Sequence, residues 1–230
     1  MLKRANWLPI AFTSCVLFSS QSTAEVSVTL TAASDYLFNG ISQTDENPAI
    51  QGSIDWANAQ GWYVGSWASN VDFGDETDAE IDYYGGFSNS INDDVYYDVG
   101  LAHYTYIGGG DSSDINYTEV YLAIGYQSTE IKAWYANDYA GTDAGHYIIA
   151  LSHTFQLTET ATLTVQIDRS TSLDDDKFSW DTNDDSYMHA KAEAAFSWQR
   201  LDFTIGVEKT DLDYDDDVKL LGTVSYTFGL

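Results

Sequence analysis

The chain is short of several things at once, and each shortage excludes a class of protein. Among 230 residues there is one cysteine, Cys15, and there are two prolines, Pro9 and Pro48. A disulfide framework and a thiolate zinc site are therefore excluded. Nine lysines and arginines stand against 36 aspartates and glutamates, a formal net charge of −27. Such a surface repels phosphate backbones, which excludes nucleic acid as a partner. After residue 25 no apolar run reaches the length of a membrane-spanning helix. Aromatic residues, by contrast, are plentiful: 17 Tyr, 10 Phe and 7 Trp. Disordered chains are poor in aromatics, so a folded structure is expected. The length suits one or two globular domains, or one large closed β structure.

The N-terminus predicts export. Lys3 and Arg4 form a basic start, Trp7 to Phe18 is mostly apolar, and Ser22-Thr23-Ala24 sets small residues before Glu25. That pattern reads as a secretory signal peptide over residues 1–24, too short and wrongly flanked for a membrane helix. Phe12-Thr13-Ser14 ahead of Cys15 matches a lipoprotein signal poorly. Removing the leader leaves seven bases against the 36 acids, a net charge of −29, and no cysteine. The remaining domain is 25–230.

From residue 25 the apolar pattern has period two. Val26, Val28, Leu30 and Ala32 alternate with Ser27, Thr29 and Thr31, and Leu163, Val165 and Ile167 with Thr164, Gln166 and Asp168. Twelve strands are predicted: 26–38, 48–56, 62–73, 80–88, 95–106, 117–126, 131–136, 146–155, 161–169, 187–197, 201–210 and 218–228. Every second connection is short, at 57–61, 89–94, 127–130, 156–160 and 198–200. The others are longer, near 39–47, 74–79, 107–116, 137–145, 170–186 and 211–217. An even number of antiparallel strands, with tight turns at one end and long loops at the other, is the pattern of an outer-membrane barrel.

Composition along the chain agrees with that polarity. The long connections hold Asp174-Asp175-Asp176 and Asp211, Asp213, Asp215, Asp216 and Asp217. The short turns hold Asp93, Asp94, Glu130 and Glu159. Aromatics near predicted strand ends, such as Tyr36, Phe38, Trp56, Trp62, Tyr63, Tyr126, Tyr226 and Phe228, read as interfacial belts. A secreted, water-soluble β-sandwich would alternate in the same way, and the mean hydropathy of −0.27 suits it too. The last strand, which carries Tyr226 and Phe228 on its apolar face, favours the barrel and its insertion machinery.

Specific words in the sequence add a family. Ser34-Asp35-Tyr36-Leu37-Phe38-Asn39-Gly40-Ile41-Ser42-Gln43-Thr44 precedes Asn47-Pro48-Ala49-Ile50-Gln51-Gly52-Ser53. Gly61-Trp62-Tyr63-Val64-Gly65, Ser69-Asn70-Val71-Asp72-Phe73, Glu80-Ile81-Asp82-Tyr83-Tyr84-Gly85-Gly86 and Tyr97-Asp98-Val99-Gly100 follow. The chain resembles the TorF family of porins, a proteobacterial family formerly of unknown function, over nearly the whole of 25–230. The resemblance implies an outer-membrane, pore-like barrel and carries no catalytic or ligand residues. Many relatives are expected to hold an Arg in the Phe38-Asn39-Gly40 turn. Its loss here makes the first loop more acidic and removes a base that anion preference would use.

If the apolar face meets lipid, alternate positions line a lumen. The candidate lining is Asp35, Asp55, Asp82, Asp98, Glu119, Asp168, Glu193, Asp202 and Glu208 with Lys132, Lys191 and Lys219. Rings of carboxylate favour cations. Tyr84, Tyr104, Tyr121 and Trp134 share that face, so a filled or very narrow lumen is the competing expectation.

Other chemistry is thinly supported. Asp211 to Asp217 lacks the central Gly and closing Glu of a calcium loop, so solvated loop acids are expected rather than a metal site. His103, His146, His153 and His189 sit in no nucleophile motif. Gly108-Gly109-Gly110 precedes no helix that would make it a phosphate cradle. The sequence therefore predicts a closed, antiparallel, up-and-down transmembrane β-barrel of about 12 strands, with no enzyme activity and no cofactor. Its expected role is passive diffusion of small hydrophilic solutes, cation-biased. Lipid, lipopolysaccharide and barrel-insertion machinery are its expected partners. A non-conducting structural or surface-interaction barrel is the alternative.

Overall fold

The computed structural model describes residues 24–182 and 184–230, so the segment read as a signal peptide lies outside the described residues except for Ala24. Twelve antiparallel strands close into one barrel in chain order. They are β1 (Glu25–Ala33), β4 (Ala49–Ala57), β5 (Trp62–Asn70), β6 (Thr77–Ser90), β7 (Val95–Gly108) and β8 (Tyr117–Tyr126). The circle continues through β9 (Thr129–Ala136), β10 (His146–Gln156), β11 (Ala161–Ser172), β12 (Ser186–Trp198), β13 (Leu201–Thr210) and β14 (Lys219–Gly229). Between β1 and β4 lies a small separate hairpin, β2 (Leu37–Phe38) with β3 (Ile41–Ser42).

Closure is made by β1, which pairs on one side with β4 (Ala33 opposite Ala49) and on the other with β14 (Ala33 opposite Thr223). Every barrel strand thus has two neighbours, and among the described residues the barrel sheet has no edge. The short connections and both ends of the barrel domain lie at one rim, and the long loops at the other.

The packing is inside out relative to a soluble sandwich. Each of the twelve strands presents at least one large apolar side chain to the outside, among them Leu30, Ile50, Val64, Leu122, Ile131, Leu151, Ile205 and Leu220. The buried side instead holds Glu80, Asp82, Asp98, Glu119, Asp168, His189, Glu193 and Glu208. A sandwich core made of those groups would lack the apolar burial that drives folding. An encircling apolar band suits a hydrocarbon solvent.

Strand limits differ from the expectation at several places: β5 stops at Asn70 rather than 73 and β11 runs on to Ser172 rather than 169, and three others bear on the interior. The first strand ends at Ala33, not near 38, because the next residues satisfy each other locally. Asp35 accepts hydrogen bonds from the Ser42 hydroxyl (2.7 Å) and the Thr44 hydroxyl (2.8 Å), and Gln43 N–H donates to the Tyr36 carbonyl (2.7 Å). Asn39 and Gly40, at φ 47° and 82°, supply the left-handed pair that closes a two-residue hairpin. Strand β6 starts earlier than expected, with an irregularity between Thr77 and Ala79. Strand β9 starts at Thr129, so Glu130 belongs to a strand and not to a turn.

The aromatic belts also need correcting. Tyr36 is buried and Phe38 half-buried in the inward hairpin, so neither lies at a lipid interface. Trp62 is exposed outside, and its neighbour Tyr63 points the other way, as period two requires.

Candidate functional site: the inner wall

The inner wall has two chemically different halves. On β4 to β9, carboxylates are met by tyrosine hydroxyls. Tyr63 donates to Asp98 (2.6 Å), Tyr96 to Glu130 (2.7 Å), Tyr104 to Glu119 (2.9 Å) and Tyr106 to Glu80 (3.4 Å). Tyr84 donates to Asp55, which also accepts from the Ser53 hydroxyl (2.7 Å). One base stands among these acids: the Lys132 ammonium lies 4.5 Å from the Tyr121 ring centre and 4.8 Å from that of Trp134.

Glycines make these crossings possible. Gly65 stands between Tyr84 and Asp55 in the register, and a Cβ there would meet both side chains at 2.6 Å. Gly125 stands between Tyr96 and Glu130, and a Cβ there would lie 2.0 Å from the Tyr96 ring. A tyrosine can thus lie flat across a neighbouring strand and reach an acid two strands away.

On β11 to β14 the acids have cationic or ionisable partners. His189 bridges Asp168 (Nδ1, 2.8 Å) and Glu208 (Nε2, 3.0 Å), with all three side chains at most 5% exposed. Lys191 pairs with Glu193 at 3.0 Å, and Lys219 pairs with Asp215. Gln166 donates to Asp168 (2.8 Å), and Asp202 accepts from the Ser197 hydroxyl.

The candidate lining residues are thus distributed as two sets and an outlier. Asp55, Asp82, Asp98, Glu119 and Lys132 lie on the tyrosine-rich half; Asp168, Lys191, Glu193, Asp202, Glu208 and Lys219 on the ion-paired half. Asp35 lies in the loop after β1, held by Ser42 and Thr44. Sequence reasoning missed Glu80, although it sits two residues before Asp82 on the same face and is buried. It also missed Glu130, placed in a turn, and Asp215, counted among loose loop acids.

The loop after β1 enters the barrel from the long-loop rim. Tyr36 packs edge-on against Trp67 of β5 (5.1 Å) and Phe38 against Tyr104 of β7 (6.3 Å). Its tip reaches the opposite half, where Tyr187 OH donates to the Asn39 carbonyl (3.1 Å). A Cβ on Gly40 would lie 2.7 Å from both His189 and Thr210. Burial, with Glu80 and Asp82 nearby, holds the Tyr36 phenol well above its ordinary range, so it is neutral.

An aromatic cluster covers the same rim. Tyr139 stacks on His146 (4.1 Å), and Trp180 touches Phe178 (4.9 Å) and Tyr187 (4.6 Å), with Leu212 buried beneath and Ile41 of the hairpin packed against them. The loop acids serve nearby as backbone acceptors: Asp211 from Met188 N–H (2.7 Å) and Asp181 from Asp213 N–H (2.7 Å). Among the described residues no group of three or more His, Cys, Asp or Glu is placed to hold a metal ion. His103 and His153 bond to Thr118 (2.9 Å) and Thr129 (2.8 Å).

The comparisons with known proteins concern family and fold. A family model described as "Bacterial protein of unknown function (Gcw_chp)" matches residues 18–171, more than half of the chain. No curated protein matches. Among solved structures, "KdgM porin" aligns with TM-score 0.59 at 11% identity, covering 88% of this chain and 99% of that one. "KdgM porin in complex with disordered oligogalacturonate" gives 0.58 at 10%, covering 88% and 99%. A NanC porin structure gives 0.57 at 10%, covering 89% and 100%. At such identities the likeness establishes a shared barrel fold.

Proposed function

The chain belongs to the Gcw_chp family of bacterial proteins, and we propose that it acts in the outer membrane as a passive pore for small hydrophilic solutes, with a preference for cations. The TorF resemblance, export by a signal peptide at 1–24, and contacts with lipid, lipopolysaccharide and insertion machinery belong to the same reading. The encircling apolar face supports the membrane, and the charged interior supports a solute path.

The observation that carries the cation preference is the tyrosine-rich half of the wall. Asp98, Glu119 and Glu130 there accept from tyrosine hydroxyls, donors that bring no positive charge, and acids outnumber the one base, Lys132. Low-dielectric walls concentrate the resulting negative field along the lumen. Oligogalacturonate, named with one of the KdgM structures, is a polyanion; this wall would repel it. His189 is bonded on both nitrogens to carboxylates, which suits a structural bridge better than catalysis.

The test is conductance of the refolded 25–230 chain in a planar bilayer under a KCl gradient. Stepwise currents that reverse on the cation-selective side are expected. Reversal at zero potential would retain the pore and remove the cation preference. The alternative, a non-conducting structural barrel, is favoured by the hairpin that crosses the lumen. A correctly inserted barrel silent both with and without that hairpin would establish it.

A further inference from the structure

Three features of the hairpin formed by β2 and β3 stand out together. It is anchored at its root, it spans the lumen, and its tip is held weakly. At the root, Tyr36 and the half-buried Leu37 and Phe38 join an apolar cluster with Ala33, Ala49, Val71 and Leu221. Asp35 ties the two arms through Ser42 and Thr44. Asp72 N–H donates to the Gln43 carbonyl (2.8 Å), which fixes the returning arm to the next long loop.

The tip crosses to β12 and β13. In the closed circle these strands lie on the far side of β14 from β1, while β7, touched by Phe38, lies round the other way beyond β4, β5 and β6. The hairpin is therefore a chord across the bore, not a flap along one wall. At its far end the seat comprises one hydrogen bond, from Tyr187 to Asn39, the packing of Ile41 against the aromatic rim, and the close approach of Gly40 to His189 and Thr210. The seat itself is rigid: His189 is pinned by two carboxylates.

Segments that open locally have few strong contacts, and the root-heavy distribution here makes the tip the part that lets go. A two-residue hairpin pivoting about a fixed root absorbs the change in a few backbone angles. The glycine is required by the closed position, because its φ of 82° and the 2.7 Å approaches leave no space for a side chain.

We propose that the Leu37–Ser42 hairpin is a removable gate: seated on Tyr187, His189 and Thr210 it closes the bore, and released at its tip it opens the solute path. The gate rests on the pore reading above. Solutes then pass between the tyrosine-rich wall and the vacated His189 seat.

The experiment compares single-channel records of three refolded 25–230 chains, each shown to be a folded barrel by heat-modifiable migration. One is wild type. In the second, residues 37–42 are replaced by Gly-Gly, which suits the existing Gln43 to Tyr36 backbone bond. The third, Ile41→Ser with Tyr187→Phe, keeps the hairpin and removes the tip's hydrogen bond and apolar contact. Wild type should flicker between closed and open levels, and the shortened chain should stay at the open level. The seat variant should raise the open fraction about tenfold, the scale expected for losing one hydrogen bond and the apolar contact of the half-buried Ile41.

Equal time-averaged currents from all three conducting chains would overturn the gate and leave the pore standing. A conducting shortened chain with wild type and seat variant both silent would make the hairpin a fixed plug, which also overturns a removable gate. Silence from all three folded barrels would overturn the pore reading itself. Should the shortened chain fail to fold, the seat variant decides: an unchanged open fraction overturns the proposal.

Discussion

At the scale of single residues, the inner wall shows two solutions to placing acids in a confined space. One gives Asp55, Asp98, Glu119 and Glu130 a tyrosine hydroxyl, and the other gives Asp168, Glu193 and Glu208 a histidine or lysine. Their energetic consequences differ. Removing one partner of a buried ionic cluster leaves an uncompensated charge, which costs about 3–5 kcal/mol. His189→Ala is therefore expected to lower barrel stability by roughly that amount, because Asp168 and Glu208 would then face each other without a bridge. Urea unfolding in detergent micelles measures it, and a loss below about 1 kcal/mol would show that the bridge is not structural. Removing charge on the other half should act on selectivity instead. In the double variant Asp82→Asn and Asp98→Asn, the reversal potential under a KCl gradient is expected to move toward zero. An unchanged potential would remove these residues from the ion path while leaving the fold intact. Gly125→Val belongs to a third kind of effect. Its Cβ would fall 2.0 Å from the Tyr96 ring, so overpacking of about 1–3 kcal/mol is expected, together with loss of the Tyr96 to Glu130 bond.

At the scale of elements, a strand in this barrel is defined by what each face meets. On β8, Val120, Leu122 and Ile124 point out while Glu119, Tyr121 and Ala123 point in. In a lipid bilayer, an arginine at mid-strand on the outer face costs about 2–4 kcal/mol. Leu122→Arg is expected to destabilise the refolded barrel in phospholipid vesicles by that amount. A change near zero would place the outer face in water. The same face logic puts Asp82, Asp98 and Glu119 on the side that is buried, but it misses the end of β1. Beyond Ala33, Tyr36 and Phe38 keep the phase of Leu30 and Ala32, yet the chain leaves the sheet. Local bonds of Asp35 and the Asn39-Gly40 turn outcompete the ladder there, and alternation carries no information about that competition.

At the scale of the whole molecule, apolar residues outside and acids inside make water an unsuitable solvent for the closed barrel. The protein is expected to leave cells only with detergent. It should also migrate on gels as a compact species that shifts after boiling, because a barrel without edges resists partial unfolding by detergent. Release without detergent would contradict the membrane reading. Acid loops at one rim and short turns at the other also give the molecule a direction. With the family match covering 18–171, the gate hairpin, the tyrosine–carboxylate half and the strands that carry them all lie within the matched region.

The sequence by itself determined the class, the number of strands and the alternation of short and long connections. These follow from a period of two and from turn composition, both of which are local. The tertiary structure decided everything that depends on partners distant in sequence. Tyr84 reaches Asp55 only because Gly65 lies between them in the register, and His189 joins Asp168 to Glu208 only because closure sets Asp168 opposite it on β11 and brings Glu208 two residues along from its partner Thr210 on β13. The inward course of the first loop is of the same kind. Its tip residues Asn39 and Gly40 announce a turn, but their seat is built from Tyr187, His189 and Thr210, which the chain supplies only after most of the barrel has been made. Alternation encodes a face; closure decides who meets across it.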